Sequence, residues 1–286
     1  MLPKLASWAL ALSCLSSVNA YINYTTVTGY FLQDDPKTNA STFNFTATNF
    51  GLINRTYPSD GNCASSARKT QWQRFADQVA TLNAAAPPNT EYKVLYMGRH
   101  GEDYHNAAES YYGTPGWNCF WSEKDGNAAV SWADARLTPN GVQQALSVNT
   151  FWKIEIAEQK IPAPQRYYTS PLTRCLTTAN LTFFGLNLPA FHPFVPEVKE
   201  LLRETISGHT CDRRSSKTYI HTAFPTYTFE DGFSENDTLW EALHGETDVD
   251  QDIRSKKVLD DIFLSDSSTY ISITSHSGEI SSLLRG

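Results

Sequence analysis

The chain has 286 residues, with 23 Lys+Arg against 30 Asp+Glu and a formal net charge of −7. That length buries a full core in one large domain or two small ones, and 41% hydrophobic with 19% charged residues excludes wholesale disorder. The acidic balance argues against a nucleic-acid or anionic-membrane partner, while a few clustered arginines still suffice to build a local pocket for a small anion.

Taken in chain order, residues 1–20 read as a signal peptide. Lys4 is the positive region, Leu5 to Leu15 the apolar stretch, and Val18-Asn19-Ala20 the small-residue cleavage site. The apolar stretch is short for a membrane span, and no second run of about 18 apolar residues follows. A secreted, extracellular protein with no membrane span after signal removal is therefore expected. Six sequons begin at Asn23, Asn39, Asn44, Asn54, Asn180 and Asn236, and the crowding of the first four between Tyr21 and Thr56 predicts a glycan-coated arm. Signal removal takes Cys14 and leaves Cys63, Cys119, Cys175 and Cys211. An oxidising compartment permits disulfides. Cys63 with Cys119 is one expected bridge, both lying in loop-like segments; Cys175 and Cys211 are either a second bridge or buried thiols. No C-x-x-C pair occurs, so neither a zinc ribbon nor a thioredoxin-type site has support.

Residues 21–68 are polar, aromatic and irregular and read as an arm packed on a domain. Trp72, Phe75, Val79 and Leu82 are spaced for a helix over Thr70–Ala84, which Ala86-Pro87-Pro88 ends. Lys93–Gly98 is a short apolar run and predicts a buried strand. Thr138 is placed to cap, and Pro139 to open, a helix running to Trp152. Gln165–Thr169 reads as a strand, followed by Ser170-Pro171 opening a helix that carries Arg174. Phe194–Val198 is a further strand candidate, 205–250 a loop-rich lid insertion, Lys256–Leu264 a helix and Tyr270–Thr274 a strand. Strands alternating with helices predict an α/β fold with a mostly parallel sheet. The domain reading is a signal peptide at 1–20, a glycosylated arm and lead-in helix at 21–90, and one domain at 91–286.

Three predicted strands end in chargeable residues: Arg99-His100-Gly101-Glu102, then Ser170 with Arg174 a turn later, then Ser275-His276-Ser277-Gly278. In open α/β sheets such strand ends line the ligand crevice. Two arginines and two histidines in one pocket are costly unless an anion fills it, and guanidiniums bond phosphate oxygens in a planar, multidentate way. That chemistry is phosphoryl transfer with an imidazole nucleophile.

At these residues the sequence resembles the histidine phosphatase superfamily, in its phosphoglycerate-mutase-like branch and as a fungal-type secreted member. The segment from Arg99 to Asn106 is similar to the family's Arg-His-Gly signature with its following Asn. Leu137-Thr138 through Gly141 to Gln144-Ala145 resembles its Leu-Thr-x-x-Gly-x-x-Gln-Ala helix start. Ser170-Pro171 with Arg174, Leu202-Arg203-Glu204 and Ser275-His276-Ser277-Gly278 match its remaining elements, in order, between about 92 and 281. The resemblance implies a three-layer α/β/α sandwich and a secreted phosphatase that hydrolyses a small phosphorylated substrate through phosphohistidine. It implies His100 as nucleophile, Glu204 as general acid, and Arg99, Arg174, His276 and Asn106 around the phosphoryl group, with no metal or cofactor. The family's domain continues past its second histidine through a full helix and a strand. This chain stops at Gly286, ten residues after His276, so a shortened end is expected.

Alternatives stand beside this reading. One is a mutase that moves phosphate between hydroxyls, against which the secretory address argues; another is an inactive protein that only binds an anion. The acid phosphatase and phytase branch looks for Arg-His-Gly-x-Arg-x-Pro and a later His-Asp, where this chain has Glu102-Asp103 and Ser277. His100-Gly101-Glu102 also fits the H-x-E of zinc deaminases, but no P-C-x-x-C follows. Glu200, four residues before Glu204, competes for the acid's role. Arg213, Arg214 and Lys217 are either a solvated loop or a rim attracting anions. Tyr111, Tyr112, Trp117, Phe120 and Trp121 either wall the pocket mouth or pack together.

Overall fold

The computed structural model describes residues 21–61 and 68–285. The expected signal segment and Cys63, with its expected bridge to Cys119, lie outside the described residues. Cys175 and Cys211 are buried free thiols, so no second bridge joins them.

The sheet forms where short apolar runs are cut off by polar strand ends. Strands β1 (Val94–Arg99), β2 (Arg166–Thr169), β3 (Glu197–Val198), β4 (Thr228–Phe229) and β5 (Tyr270–Ser275) lie in the order β1-β5-β2-β3-β4. Every pairing is parallel. Period-two alternation separates the faces. On one face Ile271, Ile273 and Tyr168 pack with Val258, Leu259 and Ile262 of α7 (Asp248–Ser265) and Leu283 of α8 (Ser277–Arg285). On the other, Val94 and Tyr167 pack with Trp72, Phe75 and Val79 of α1 (Gln71–Ala84), Trp152 of α4 (Pro139–Ile154) and Phe183 of α5 (Thr173–Phe183). The fold is thus a three-layer α/β/α sandwich. Two short helices, α2 (Tyr104–Tyr112) and α3 (Thr114–Cys119), follow β1.

The arm joins both layers rather than trailing from them. Leu52 and Tyr57 enter the α1-side core, and Tyr24 packs on the α7-side core, its hydroxyl donating to Asp260 at 2.6 Å. Between 205 and 250 the chain adds more than loop. It forms α6 (Lys217–Ala223) and strand β4, which extends the sheet edge.

Candidate active site

Strand register assembles the centre. Arg99 pairs with Ser275 and Thr169 with Thr274, while the amides of His100 and Ser170 donate to the carbonyls of Ser275 and Thr274, each at 3.0 Å. His100, Ser170 and His276 therefore leave the C-terminal sheet edge side by side. The rings of His100 and His276 lie 5.1 Å apart, centre to centre.

The loop after β1 is locked against the start of α4. A Cβ on Gly101 would strike the Gly141 carbonyl, and one on Gly141 would strike that of Glu102, so two backbones touch where only glycine fits. The Thr138 amide donates to the Glu102 carbonyl at 3.0 Å, and the Thr138 hydroxyl to Glu102 Oε1 at 2.6 Å. Gln144 Oε1 accepts from the Glu102 amide at 2.8 Å. The Leu-Thr-x-x-Gly-x-x-Gln pattern is thus a docking device for the histidine loop.

His100 is 5% exposed, and its Nδ1 lies 2.8 Å from the Gly101 carbonyl. A carbonyl only accepts, so Nδ1 carries the proton and Nε2 keeps a free lone pair. Burial, then the Arg174 charge, pushes the His100 pKa down to about 3, which keeps the ring neutral. His276 is fully buried. Its Nδ1 accepts from Arg174 Nε at 3.4 Å, so its Nε2 donates to Ser170 Oγ at 2.8 Å. Burial and the same arginine hold it well below the usual histidine range.

Arg174 is the buried cation between them. Nε lies 3.3 Å from Asp103 Oδ2, and Nη1 donates to the Cys211 carbonyl at 2.7 Å. Nη2 lies 3.6 Å from Asp212 and has no hydrogen-bond partner among the described residues. A buried guanidinium N–H without an acceptor is costly, and an oxyanion arriving there would satisfy it. Asp103, unremarked in the sequence, is the counter-charge. Burial pushes its carboxyl up, but the His105 hydrogen bond and Arg174 outweigh that and hold it at about 2. It also caps α2, accepting from the Asn106 amide at 3.0 Å. His105 Nδ1 bonds Asp103 at 2.8 Å, and Asn106 Nδ2 donates to His105 Nε2 at 2.9 Å, which fixes that ring as well.

Arg99 and Asn106 stand at the open mouth, with Arg99 Nη2 3.5 Å from Asn106 Oδ1. They line a cavity of about 590 Å³ with His100 and Glu109. Glu204 lines a second cavity of about 280 Å³, and Glu109 also lines that one. The Glu204 carboxylate accepts from the amides of Thr205 at 3.0 Å and Gly278 at 3.4 Å. His100, Arg174 and His276 are thus in contact, with Arg99 and Asn106 beside them and Glu204 in the adjoining cleft. Glu200 is bonded instead by Arg203 at 3.1 Å and Arg214 at 2.7 Å, and lines neither cavity.

Two expectations about the rim change. Arg214 is buried against Glu200 and the carbonyls of Ser234 and Asn236, and Arg213 bonds Asp125 at 2.8 Å. Lys217 lies over the rings of Phe229 and Phe233. These cations brace a loop instead of facing the pocket. Of the aromatic run, Trp117 lines the second cavity, while Tyr112 and Trp121 stack with ring centres 4.1 Å apart. Among the described residues His209, Cys211 and Asp212 bring ligand-type atoms within 4.8 Å of one another. Burial pushes the Cys211 thiol up, so it stays protonated, and Asp212 already faces Arg174, which makes the trio a poor cation site.

The family model described as "Histidine phosphatase superfamily (branch 1)" matches residues 95–286. A relative from Arthroderma benhamiae, named "Probable phosphoglycerate mutase", is 49% identical over 263 residues, covering 92% of this chain and 78% of its own. "Phosphomutase-like protein 3" of Candida albicans is 34% identical over 262 residues, covering 91% and 73%. Among solved structures, Bacillus stearothermophilus YhfR aligns with a TM-score of 0.38 at 23% identity, over 66% of this chain and 77% of its own. With a family model matched across the sheet and relatives alike over nine-tenths of its length, this chain belongs to the histidine phosphatase superfamily, branch 1.

Proposed function

We propose that this chain is a secreted phosphatase that hydrolyses small phosphomonoesters through a phosphohistidine at His100. The observation that carries the reading is the buried Arg174, whose Nη2 lacks an acceptor among the described residues and which lies beside two neutral histidines. A phosphoryl group supplies the missing oxygen. His100 Nε2 attacks phosphorus, and the ester P–O bond breaks with its electron pair going to the leaving oxygen. Glu204 gives that oxygen its proton. Water then attacks the phosphohistidine, Glu204 takes the water's proton, and the P–N bond breaks to release phosphate and restore His100. Arg99, Arg174 and Asn106 hold the phosphoryl oxygens where charge sits in the transition state, and His276, beside Arg174, joins them once its Nε2 proton leaves Ser170 for a phosphoryl oxygen.

Phosphate release from a panel of phosphomonoesters, by the wild type and His100→Ala, tests this. Wild-type turnover that falls at least about 10³-fold in the variant is expected. Equal activity in both overturns the nucleophile assignment. The trapped phosphoenzyme should be acid-labile and base-stable. The names of the relatives favour a second reading, a phosphomutase. Transfer to an added diol in preference to water would select it.

Secretion is part of the same proposal. No helix among the described residues is long and apolar enough to cross a membrane. Asn23, Asn39, Asn44, Asn54 and Asn236 are exposed, while Asn180 is half-buried on α5. Expression of the full chain in a glycosylating host should put a glycan-bearing protein beginning near Tyr21 into the medium. An intracellular product retaining residues 1–20 would refute the address.

A further inference from the structure

The two cavities are lopsided in charge. Among the described residues lining them, Arg99 is the one arginine or lysine, against Glu102, Glu109, Glu204 and Asp212. Arg99 is committed to the phosphoryl position beside Asn106. The cations nearby in sequence, Arg213 and Arg214, are held by Asp125 and Glu200.

Two of the carboxylates are fixed in place. Glu102 accepts from Thr138 Oγ1 at 2.6 Å and Asn140 Nδ2 at 3.1 Å, and Glu109 accepts from Thr114 Oγ1 at 3.1 Å. Neither has an ion-pair partner among the described residues, and both line the first cavity. Glu109 is the residue common to both cavities. His100 lines one and Glu204 the other, and a leaving alcohol must lie between the nucleophile and the acid that protonates it. The leaving group therefore passes Glu109.

We propose that the site selects phosphomonoesters whose leaving alcohol carries no negative charge, the polyols and amino alcohols, and that Glu109 determines this preference. The inference rests on the phosphatase reading above. A carboxylate on the leaving group would meet Glu109 and Glu102, while Arg99, the one arginine or lysine among the described lining residues, is taken by the phosphoryl group. An ammonium or a hydroxyl would find acceptors there. The same argument disfavours phosphoglycerate as a substrate, although the Arthroderma benhamiae relative is named for it.

The test compares kcat/KM for glycerol 3-phosphate, phosphoethanolamine and 3-phosphoglycerate, with 4-nitrophenyl phosphate as a check on turnover. Wild type, Glu109→Gln and Glu109→Lys are used, each checked for a cooperative melting transition. Glycerol 3-phosphate and phosphoethanolamine should exceed 3-phosphoglycerate by about tenfold at low salt, and by less as salt rises. Glu109→Gln should narrow that ratio, and Glu109→Lys should reverse it. Equal use of glycerol 3-phosphate and 3-phosphoglycerate by the wild type overturns the inference. So does an unchanged ratio in both variants. If 4-nitrophenyl phosphate is hydrolysed but 3-phosphoglycerate is preferred, the inference alone fails. If none of the four esters releases phosphate, the phosphatase reading fails and the inference falls with it.

Discussion

Arg174 Nε and Asp103 Oδ2 meet at 3.3 Å, and neither side chain reaches solvent. Removing one partner of such a pair leaves an uncompensated buried charge. Asp103→Ala should therefore lower stability by about 3–5 kcal/mol, read as a shift in the urea midpoint. Asp103→Asn keeps the cap on α2 and should lose less. A loss below about 1 kcal/mol for Asp103→Ala would show that Asp212 suffices as counter-charge.

Gly278 makes room for the proposed acid. A Cβ there would collide with Glu204 Oε1 and come within 3.0 Å of Thr205 Oγ1. Gly278→Ala should displace the Glu204 carboxylate and lower kcat on alkyl phosphates, as Glu204→Gln should by about 10²–10⁴-fold. Both should act much less on 4-nitrophenyl phosphate, whose leaving group needs no proton. Equal losses on both ester types would remove Glu204 from proton delivery.

Acid should unfold this protein earlier than its carboxylates alone require. His100 and His276 sit below the ordinary value of 6.5 in the fold, His100 at about 3. Between those values the unfolded chain binds more protons, so stability is full above pH 6.5 and falls as pH drops below it. Each ring contributes up to about 1.4 kcal/mol per pH unit. Asp103 acts lower, between its ordinary value of 3.8 and about 2. Denaturant midpoints between pH 7.5 and 4.5 measure the slope, and His276→Gln should flatten it.

Arg254, on α7, clamps the segment that carries Glu204. It donates to the carbonyls of Leu201 at 2.6 Å, Arg203 at 3.0 Å and Glu204 at 3.1 Å, and pairs with Glu279 of α8 at 3.1 Å and with Glu246. Arg254→Met removes the guanidinium from three carbonyls and from two carboxylates, of which Glu279 keeps Ser255 and Gln251 and Glu246 keeps the Ile206 amide. It should cost about 3–5 kcal/mol of stability, and kcat on alkyl phosphates should fall further than on 4-nitrophenyl phosphate. Arg254→Lys, which keeps the charge without the planar fork, should lie between.

Where a signal was local, the sequence revealed it. Thr138 does cap α4, and the helix expected over Thr70–Ala84 is α1, with Thr70 as its cap and not its first residue. Where the determinant came from elsewhere in the chain, it was hidden. The helix expected to open at Ser170-Pro171 begins at Thr173, because Asp134 accepts from the Thr173 amide and hydroxyl, each at 2.8 Å. That cap crosses 39 residues, with Asp134 in the left-handed region at φ 43°. Helix α7 starts at Asp248, well before Lys256, since its first turns are charged and only the Thr247–Asp250 cap marks them. Strand β4 spans two residues, too few for any periodic pattern. Asp103 was illegible for a related reason: its role depends on Arg174, 71 positions further on, and an acidic residue at a helix start looks like an ordinary cap.

Strand β5 sits between β1 and β2, bonded to both. Val94 must therefore wait for Tyr270, 176 residues later, before its edge is paired. During synthesis the ribosome releases β1 and β2 as two unmatched edges, each able to recruit a stray strand from another nascent chain. The sheet, and with it the side-by-side placement of His100 and His276, forms only once β5 slots in. A single strand, inserted between two that precede it in the chain, thus decides whether the two histidines meet at all.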